Sequence, residues 1–432
     1  MTNKFITILL TILTLGITSS CADKEALNSI SISQPEKIDS VLNHYIDEDY
    51  FPFVYARIED IDGKLIYEHS STNKDLLPNT DINGDSWIRI WSMSKIVTIS
   101  IALDLVEEGI IKLSDPVYKF IPEFKDLKVA VSPEGKSLGS YAWGERSETC
   151  PFKLVDTDSI MTVLHLINHE AGFYYANGGF SCLDSLMAES NFPKANNSEE
   201  LISKMAQLPL IQHPGESYYY GTNTTVLGLV AERATQKSLK QLVEERISTP
   251  MKIEGLQYSK PEHVQLLPKF TGRDSILRQA EKGELDIFGP DVPDYDANHE
   301  LYLGGEGMLG TADGYADFLR MLLKRGELNG YRFLEPETVK NIHSPHTQKD
   351  SPYGYNGYNL WVSGDSMRIH NYGDAGLWLG GGYESTSFWA GPKRNIVGIV
   401  MSQNNAVQAP GYMLSDEFRG AVYNQIFEAE KQ

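Results

Sequence analysis

The stretch from which the fold can be worked out reads Arg89-Ile90-Trp91-Ser92-Met93-Ser94-Lys95-Ile96-Val97-Thr98. It opens an apolar run that reaches Leu105-Val106 and stops at Glu107-Glu108-Gly109. That length and that glycine at the end are typical of a helix. Because residues three apart lie on one face of a helix, Ser92 and Lys95 can touch.

A serine next to a lysine can carry chemistry. A serine hydroxyl is a poor nucleophile until a neighbouring group takes its proton. A lysine that is close, partly desolvated and near the positive end of a helix can have a depressed pKa and take that proton. Ser92 also stands where free backbone N–H groups can stabilise an oxyanion. The Ser-x-x-Lys spacing alone is a weak signal that more often marks a helix start with a surface lysine, so residues elsewhere have to decide.

The composition excludes some classes of function. The chain has 432 residues, of which 41% are hydrophobic and 22% charged, with a formal net charge of −20. This is an ordinary globular composition, and the length suits two or three lobes around a large core. A strongly acidic chain without a basic stripe argues against a nucleic-acid partner.

The first residues read as an export signal. Lys4 precedes the apolar segment Phe5–Ile17, and small residues 18–20 lead to Cys21. The apolar segment is too short to span a membrane, so we predict a signal peptide over residues 1–20. A cysteine directly after small residues resembles a bacterial lipoprotein site and predicts lipidation of Cys21, with plain signal cleavage as the alternative. The protein is then expected in the cell envelope, either periplasmic or anchored to the membrane by lipid.

Strand patterns lie near both chain ends and helix patterns between them. Residues 54–58 and 64–67 flank the Asp62-Gly63 turn and predict a hairpin. Residues 383–390 and 396–402 are the late strands. We therefore predict an α/β (α+β) fold with an antiparallel sheet flanked by helices. Residues 35–120 and 300–430 would form the sheet domain, and residues 121–299 a mainly helical insertion domain.

Two pairs of residues have alternative readings. Cys150 and Cys182 could form a disulfide in an exported protein, or they could be two buried thiols. His165 and His169 have the spacing of a metal pair, but no third ligand is placed and the HExxH pattern is absent. A helix end tied by a hydrogen-bonding histidine is the better interpretation, and no metal or other cofactor is expected.

Several ordered motifs together resemble the serine β-lactamase superfamily, and within it class C β-lactamases and family VIII carboxylesterases. The resemblance covers residues 35 to 429. Its markers are Ser92-Met93-Ser94-Lys95, the segments 105–117 and 166–172, Pro214-Gly215 leading to Tyr220, Gly304-Gly305-Glu306-Gly307 and Gly380-Gly381-Gly382.

The resemblance implies roles for these residues. Ser92 would be the acylated nucleophile, with Lys95 and Tyr220 as general base and acid; alignment with the family places the catalytic phenol at Tyr220 rather than at Tyr218 or Tyr219. The backbone N–H groups of Ser92 and Tyr383 would form the oxyanion hole. The implied substrate-binding positions are Thr222, Gly380, Gly381 and Gly382.

Two departures from the family bear on the substrate. The Tyr-x-Asn motif reads Tyr220-Gly221-Thr222, and the Lys-Thr-Gly motif reads Gly380-Gly381-Gly382. Loss of the lysine that would hold a substrate carboxylate argues against strong penicillin hydrolysis and favours an exported esterase for small-molecule esters. The alternatives are a β-lactamase, a D-amino-acid peptidase or amide-oligomer hydrolase, or a catalytically inactive envelope binding protein. No obligate protein partner is evident.

Overall fold

The computed structural model describes residues 30–175, 178–272, 274–281, 284, 295–404 and 408–431. The predicted signal peptide (residues 1–20) and Cys21 lie outside these residues. The α-helices of the described part, numbered in chain order, are α1 (Pro35–Asp47), α2 (Ser94–Glu107), α3 (Val163–Ile167), α4 (Ser181–Ser190), α5 (Ser198–Met205), α6 (Asn223–Thr235), α7 (Leu239–Val243), α8 (Thr249–Met251), α9 (Ala312–Leu323), α10 (Pro336–Ile342), α11 (Ser366–Ile369) and α12 (Gly411–Ala429).

The strands of the described part are numbered in the same way. They are β1 (Phe53–Asp60), β2 (Leu65–Thr72), β3 (Ile88–Arg89), β4 (Lys128–Val131), β5 (Lys153–Asp156), β6 (Leu256–Gln257), β7 (Phe270–Thr271), β8 (Arg278–Gln279), β9 (Leu309–Gly310), β10 (Glu327–Leu328), β11 (Tyr331–Arg332), β12 (Gly354–Asn356), β13 (Trp361–Ser363), β14 (Trp378–Gly382), β15 (Thr386–Gly391) and β16 (Ile396–Met401).

A seven-stranded sheet joins the two ends of the chain. Its strand order is β12-β13-β14-β15-β16-β1-β2, and every neighbouring pair is antiparallel. β16 is buried at every position and β1 at all but its last, as expected for central strands with helices over them. α1 packs against α12, both contact the sheet, and α9 packs against β16. The predicted antiparallel sheet, flanked by helices and built from both chain ends, is confirmed.

The structure tests two of the predicted strand elements. The Asp62-Gly63 hairpin forms, with Gly63 in the left-handed region at φ 82°. The predicted start of the strand at Tyr383 is wrong, because the glycines themselves form β14 and the next strand begins at Thr386. Tyr383 therefore lies in the turn between β14 and β15.

One hydrophobic core serves the sheet and the helices. From Ser31 onward the chain forms one compact unit, and a single cluster of buried side chains includes Tyr55 and Ile399 of the sheet as well as Leu166 of α3. α2 is apolar and buried almost all round, and it packs against α6. The helical residues are thus fused to the sheet part through α2, and the bounds 35–120, 121–299 and 300–430 stay a prediction.

A disulfide joins Cys150 to Cys182, which have a Cα–Cα distance of 6.0 Å and lie 32 residues apart. Of the two alternatives that the sequence allowed, a disulfide or two buried thiols, the structure shows the disulfide. The chain-entropy treatment of a loop this long gives a stabilisation of about 3 to 4 kcal/mol.

The double variant Cys150→Ser/Cys182→Ser is expected to lower the midpoint of thermal unfolding, measured by circular dichroism, because it removes this stabilisation. An unchanged midpoint, with or without reductant, would contradict a stabilising role for this bond.

Candidate active site

Ser92 lies in a single 3-10 turn, Trp91–Met93, directly before α2. Trp91 has a φ of 46°, a left-handed conformation that is strained for a bulky residue and is found most often at functional sites. Its indole Nε1 donates to Glu384 at 2.8 Å, and its ring lies 5.8 Å from the ring of Tyr383. These contacts hold the turn against the end of β14 and leave Ser92 half-buried at the surface of a cavity.

Lys95 is completely buried beneath Ser92. Its Nζ donates to Ser92 Oγ at 2.9 Å and to the carbonyl oxygen of Gly305 at 2.8 Å. A Cβ at position 305 would come within 2.9 Å of Thr225 Oγ1 and 3.4 Å of Lys95 Nζ, so glycine allows this backbone to approach the lysine. The helical spacing of Ser92 and Lys95 does bring the two side chains into contact.

Tyr220 completes the contact from the loop that precedes α6. Its hydroxyl oxygen lies 2.8 Å from Ser92 Oγ, and the ring centroid is 5.0 Å from Lys95 Nζ. Because α2 packs against α6, residues 128 positions apart in the chain meet at one point. Tyr220 keeps 41% of its surface exposed, so its hydroxyl is accessible to a bound molecule.

His169 supports the ring of Tyr220 from behind. The two rings are stacked at 5.0 Å with an interplanar angle of 4°. Nδ1 of His169 accepts from the backbone N–H of Gly221 at 3.2 Å, so the imidazole proton is on Nε2, which faces Thr224 Oγ1 at 3.1 Å. Burial, followed by the charge of Lys95, holds the pKa of His169 well below its usual value, and the histidine stays neutral.

Glu306 places a carboxylate against the lysine and is itself 3% exposed. Its Oε1 accepts from Lys95 Nζ at 3.3 Å and from the hydroxyl of Tyr175, and its Oε2 accepts from Thr225 Oγ1 at 2.6 Å. A buried anion with three donors and a cation next to it is a satisfied charge pair. Burial, followed by the charge of Glu306, raises the pKa of Tyr175 well above that of free tyrosine.

The predicted depression of the lysine pKa is wrong. Burial acts to lower the pKa of Lys95, but the charges and hydrogen bonds of Tyr220 and Glu306 outweigh it and raise that pKa. Desolvation and the helix terminus both act to lower a lysine pKa, but the buried carboxylate of Glu306 comes from a distant segment and acts in the opposite direction. Lys95 is therefore an ammonium ion at neutral pH.

The cavity in front of Ser92 has a volume of about 180 Å³. Every described residue that lines it is uncharged: Ser92, Ile96, Tyr218, Tyr220, Gln348, Asn356, Asn359, Trp361, Leu379, Gly380, Gly381 and Phe388. Aromatic and aliphatic walls with a few amide groups suit a neutral organic molecule that forms a small number of hydrogen bonds.

Gly380 and Gly381 of β14 line this cavity, and neighbouring groups enclose Gly380 and Gly382, the third glycine of the strand. A Cβ at Gly380 would come within 2.5 Å of the ring of Phe388, and one at Gly382 within 2.5 Å of the carbonyl oxygen of Ile90. The ring of Phe388 therefore occupies the space that a side chain at position 380 would need. Gly382 lets the strand lie against the backbone that leads to Ser92.

Some predicted site residues are not brought together. The Thr222 side chain is 3% exposed and is not part of the cavity lining. Tyr383 follows the glycine wall and contacts Trp91, and the use of its N–H in an oxyanion hole stays a prediction. His165 and His169, whose spacing also suits a metal pair, each make a hydrogen bond to a neighbouring protein group. The ring of His165 binds the backbone N–H of Thr162, and the described residues contain no cluster of three or more potential metal ligands.

Glu306, Tyr175 and His169 are site residues whose roles the sequence analysis missed. The sequence could have indicated Glu306, because it is the one charged residue in the glycine cluster 304–307 and this cluster lies between apolar segments. His169 belongs to a quoted motif, and its left-handed φ of 57° marks the end of α3. Tyr175 carries no sequence signal that separates it from the 22 other tyrosines.

Comparison with known proteins gives a consistent family. Residues 61–413 match the family model described as Beta-lactamase. Over 301 residues the chain is 28% identical to protein Rv1367c of Mycobacterium tuberculosis, covering 69% of each protein. It is 23% identical over 321 residues to esterase EstB of Burkholderia gladioli, covering 71% of this chain and 74% of that protein.

The fold also matches solved structures. The structure of EstCE1, described as a hydrolase with promiscuous acyltransferase activity, superimposes with a TM-score of 0.72 at 20% identity. The match covers 90% of this chain and 98% of that one. The resemblance that the motifs suggested is confirmed by these comparisons. Among the described residues, no helix has both the length and the apolar character needed to cross a membrane.

Proposed function

The chain belongs to the beta-lactamase family, and from that premise we propose that it hydrolyses uncharged carboxylic esters through an acyl-enzyme on Ser92. The observation that carries this proposal is the meeting of three groups at one point. Ser92 Oγ lies 2.9 Å from the Lys95 amine and 2.8 Å from the Tyr220 hydroxyl, next to an uncharged cavity. Relatives with this fold include an esterase and a hydrolase with acyltransferase activity.

The proton route follows from the charge of Lys95. An ammonium ion cannot accept the serine proton, so Tyr220 is the acceptor, and the adjacent positive charge stabilises its phenolate. As Ser92 Oγ bonds to the ester carbonyl carbon, its proton moves to the Tyr220 oxygen. The carbon–oxygen bond to the alcohol then breaks, and the alcohol leaves with that proton. A water molecule then attacks the acyl carbon and gives a proton to the Tyr220 oxygen. The bond between that carbon and Ser92 Oγ breaks, the proton passes to Ser92 Oγ, and the acid leaves.

The proposed reactive pair is an ammonium with a phenolate, which holds one proton fewer than an ammonium with a phenol. Contacts from Gly305 and Glu306 favour the ammonium form of Lys95.

The ester carbonyl oxygen becomes an oxyanion when Ser92 attacks. The backbone N–H groups of Ser92 and Tyr383 would stabilise this oxyanion by hydrogen bonds.

The part of the cavity around Gly380 favours esters over β-lactams as substrates. Penicillins carry a carboxylate beside the reactive amide, and the described residues of the lining offer this group no cation. The space of the family lysine is taken by the ring of Phe388, so a cationic side chain at position 380 would displace packed aromatic atoms.

We also propose that the protein is exported and lipidated at Cys21. The apolar segment before Cys21 supports export. The Cys150–Cys182 disulfide is in accord with it, since such bonds persist in oxidising compartments outside the cytoplasm.

The substrate class is tested by comparing p-nitrophenyl butyrate with nitrocefin on the mature protein. We expect kcat/KM for nitrocefin to be about 100-fold lower, because an unmade charged hydrogen bond corresponds to about 3 kcal/mol. Comparable values, or faster nitrocefin turnover, would favour the β-lactamase alternative.

The binding-protein alternative is separated by a fluorophosphonate probe followed by mass spectrometry of the peptides. A covalent adduct on Ser92 is expected, since the probe reports an activated serine whatever the natural substrate. An unlabelled Ser92 in folded protein, together with absent ester turnover, would leave the catalytically inactive binding protein as the better description.

A further inference from the structure

Glu306 ties together four segments that are far apart in the chain. Its carboxylate contacts Lys95 of α2, Tyr175 after α3 and Thr225 of α6, while its own backbone belongs to residues 304–307. Thr225 Oγ1 also accepts from the N–H of Gly305, whose carbonyl oxygen binds Lys95. Residues 304–307 therefore hold the lysine through a carbonyl oxygen and a carboxylate at the same time.

Glu306 lies close to the reactive pair in a site filled with titratable side chains. The described groups that face the Lys95–Tyr220 pair from the surrounding elements are Glu306, Tyr175, Tyr218, His169 and, behind Glu306, Tyr258. Of these, the tyrosines and the neutral histidine carry no charge at neutral pH. Glu306 is thus the anion that balances the lysine.

We propose that Glu306 is a positioning residue that keeps the proton of the Lys95–Tyr220 pair on the lysine and thereby sets the pH above which Ser92 becomes reactive. The inference rests on the proposed acyl-enzyme function of Ser92. Glu306 does not face the cavity and does not contact Ser92, so it acts through Lys95.

The direction of the effect follows from electrostatics. The reactive pair has one proton fewer than the fully protonated pair of ammonium and phenol. Removing that proton lowers the charge next to Glu306 by one unit, and a neighbouring anion makes this harder. The carboxylate therefore moves the ascending limb of the pH–rate profile towards higher pH, and its removal moves the limb towards lower pH.

The test is the pH dependence of kcat/KM for p-nitrophenyl butyrate between about pH 5 and about pH 10. Glu306→Gln removes the charge and keeps the shape, and we expect its ascending limb to lie about one pH unit below that of the wild type. Glu306→Asp keeps the charge and is expected to restore the limb towards the wild-type position. Circular dichroism confirms that each variant is folded.

Glu232→Gln is the matched control. Glu232 is a largely buried carboxylate of α6 that binds Ser198 and the N–H of Leu239, outside the site. Its variant should keep the wild-type limb. If the Gln variant keeps the wild-type limb as well, or shifts it upward, the inference is overturned. If Glu306→Gln does not fold, the comparison uses Glu306→Asp alone. An ascending limb at the pH of the wild type supports the inference, and an ascending limb at a higher pH than that of the wild type opposes it.

Failure of this inference can be told apart from failure of the proposed function. Fluorophosphonate labelling of Ser92, followed over the same pH range, needs an activated serine but no particular ester. If every variant is labelled and turns over the ester with its ascending limb at the same pH, only the role of Glu306 is opposed. Absent labelling in the wild type would oppose the acyl-enzyme function itself.

Discussion

Ser92→Ala is expected to lower kcat/KM for p-nitrophenyl butyrate by about 10⁴-fold or more, because the substitution removes the oxygen that forms the proposed acyl-enzyme. Ser92 Oγ is the atom on which the contacts of Lys95 and Tyr220 converge. The substitution removes one half-buried hydroxyl from a turn held by Trp91 and Glu384, so folding should be unaffected. Steady-state kinetics of purified mature protein provide the measurement.

Ser100→Ala is the matched control for this substitution. Ser100 is a buried serine of the same helix, and its hydroxyl donates to the carbonyl oxygen of Ile96 at 2.8 Å. Its variant should keep nearly full activity. Equal rates for Ser92→Ala and the wild type would remove Ser92 from the mechanism and return the Ser-x-x-Lys spacing to its structural interpretation.

Tyr220→Phe and Lys95→Ala should each reduce kcat/KM by about 10³-fold or more, and the double variant should be little worse than the more damaging single one. Groups that move one proton as a unit lose their effect together. In the proposed mechanism Tyr220 accepts the proton, and Lys95, whose Nζ lies 5.0 Å from the centroid of the Tyr220 ring, stabilises the phenolate that accepts it. Single- and double-variant kinetics, with circular dichroism for folding, measure this coupling.

Tyr219→Phe is the control for the tyrosine. Tyr219 is the neighbouring residue, but its ring packs against Arg146 rather than against Lys95. It should retain activity, which would separate Tyr220 from the other tyrosines of residues 218–220. If the losses of Tyr220→Phe and Lys95→Ala multiply in the double variant, the two groups act independently and the shared proton route is wrong.

The sequence by itself determined the elements whose signals are local. The apolar run after Ser92 requires a buried helix, and the three-residue spacing puts Lys95 within reach of the Ser92 hydroxyl. The Asp62-Gly63 turn determines the hairpin of β1 and β2. The ordered motifs led to the family, while the catalytic role of Tyr220 and the ester substrate inferred from the lost lysine at position 380 stay predictions.

Only the tertiary structure decided the charge state of the site and the shape of its cavity. Lys95 and Glu306 are 211 residues apart, and their contact arises from the packing of α2, α6 and residues 304–307. No local pattern encodes that contact, and the local features alone, desolvation and the helix terminus, predict the opposite direction for the lysine pKa. The burial of Thr222 and the ring of Phe388 against Gly380 likewise follow from packing. Spacing along one helix is set by its geometry, whereas charge pairing depends on which distant segments fold against it.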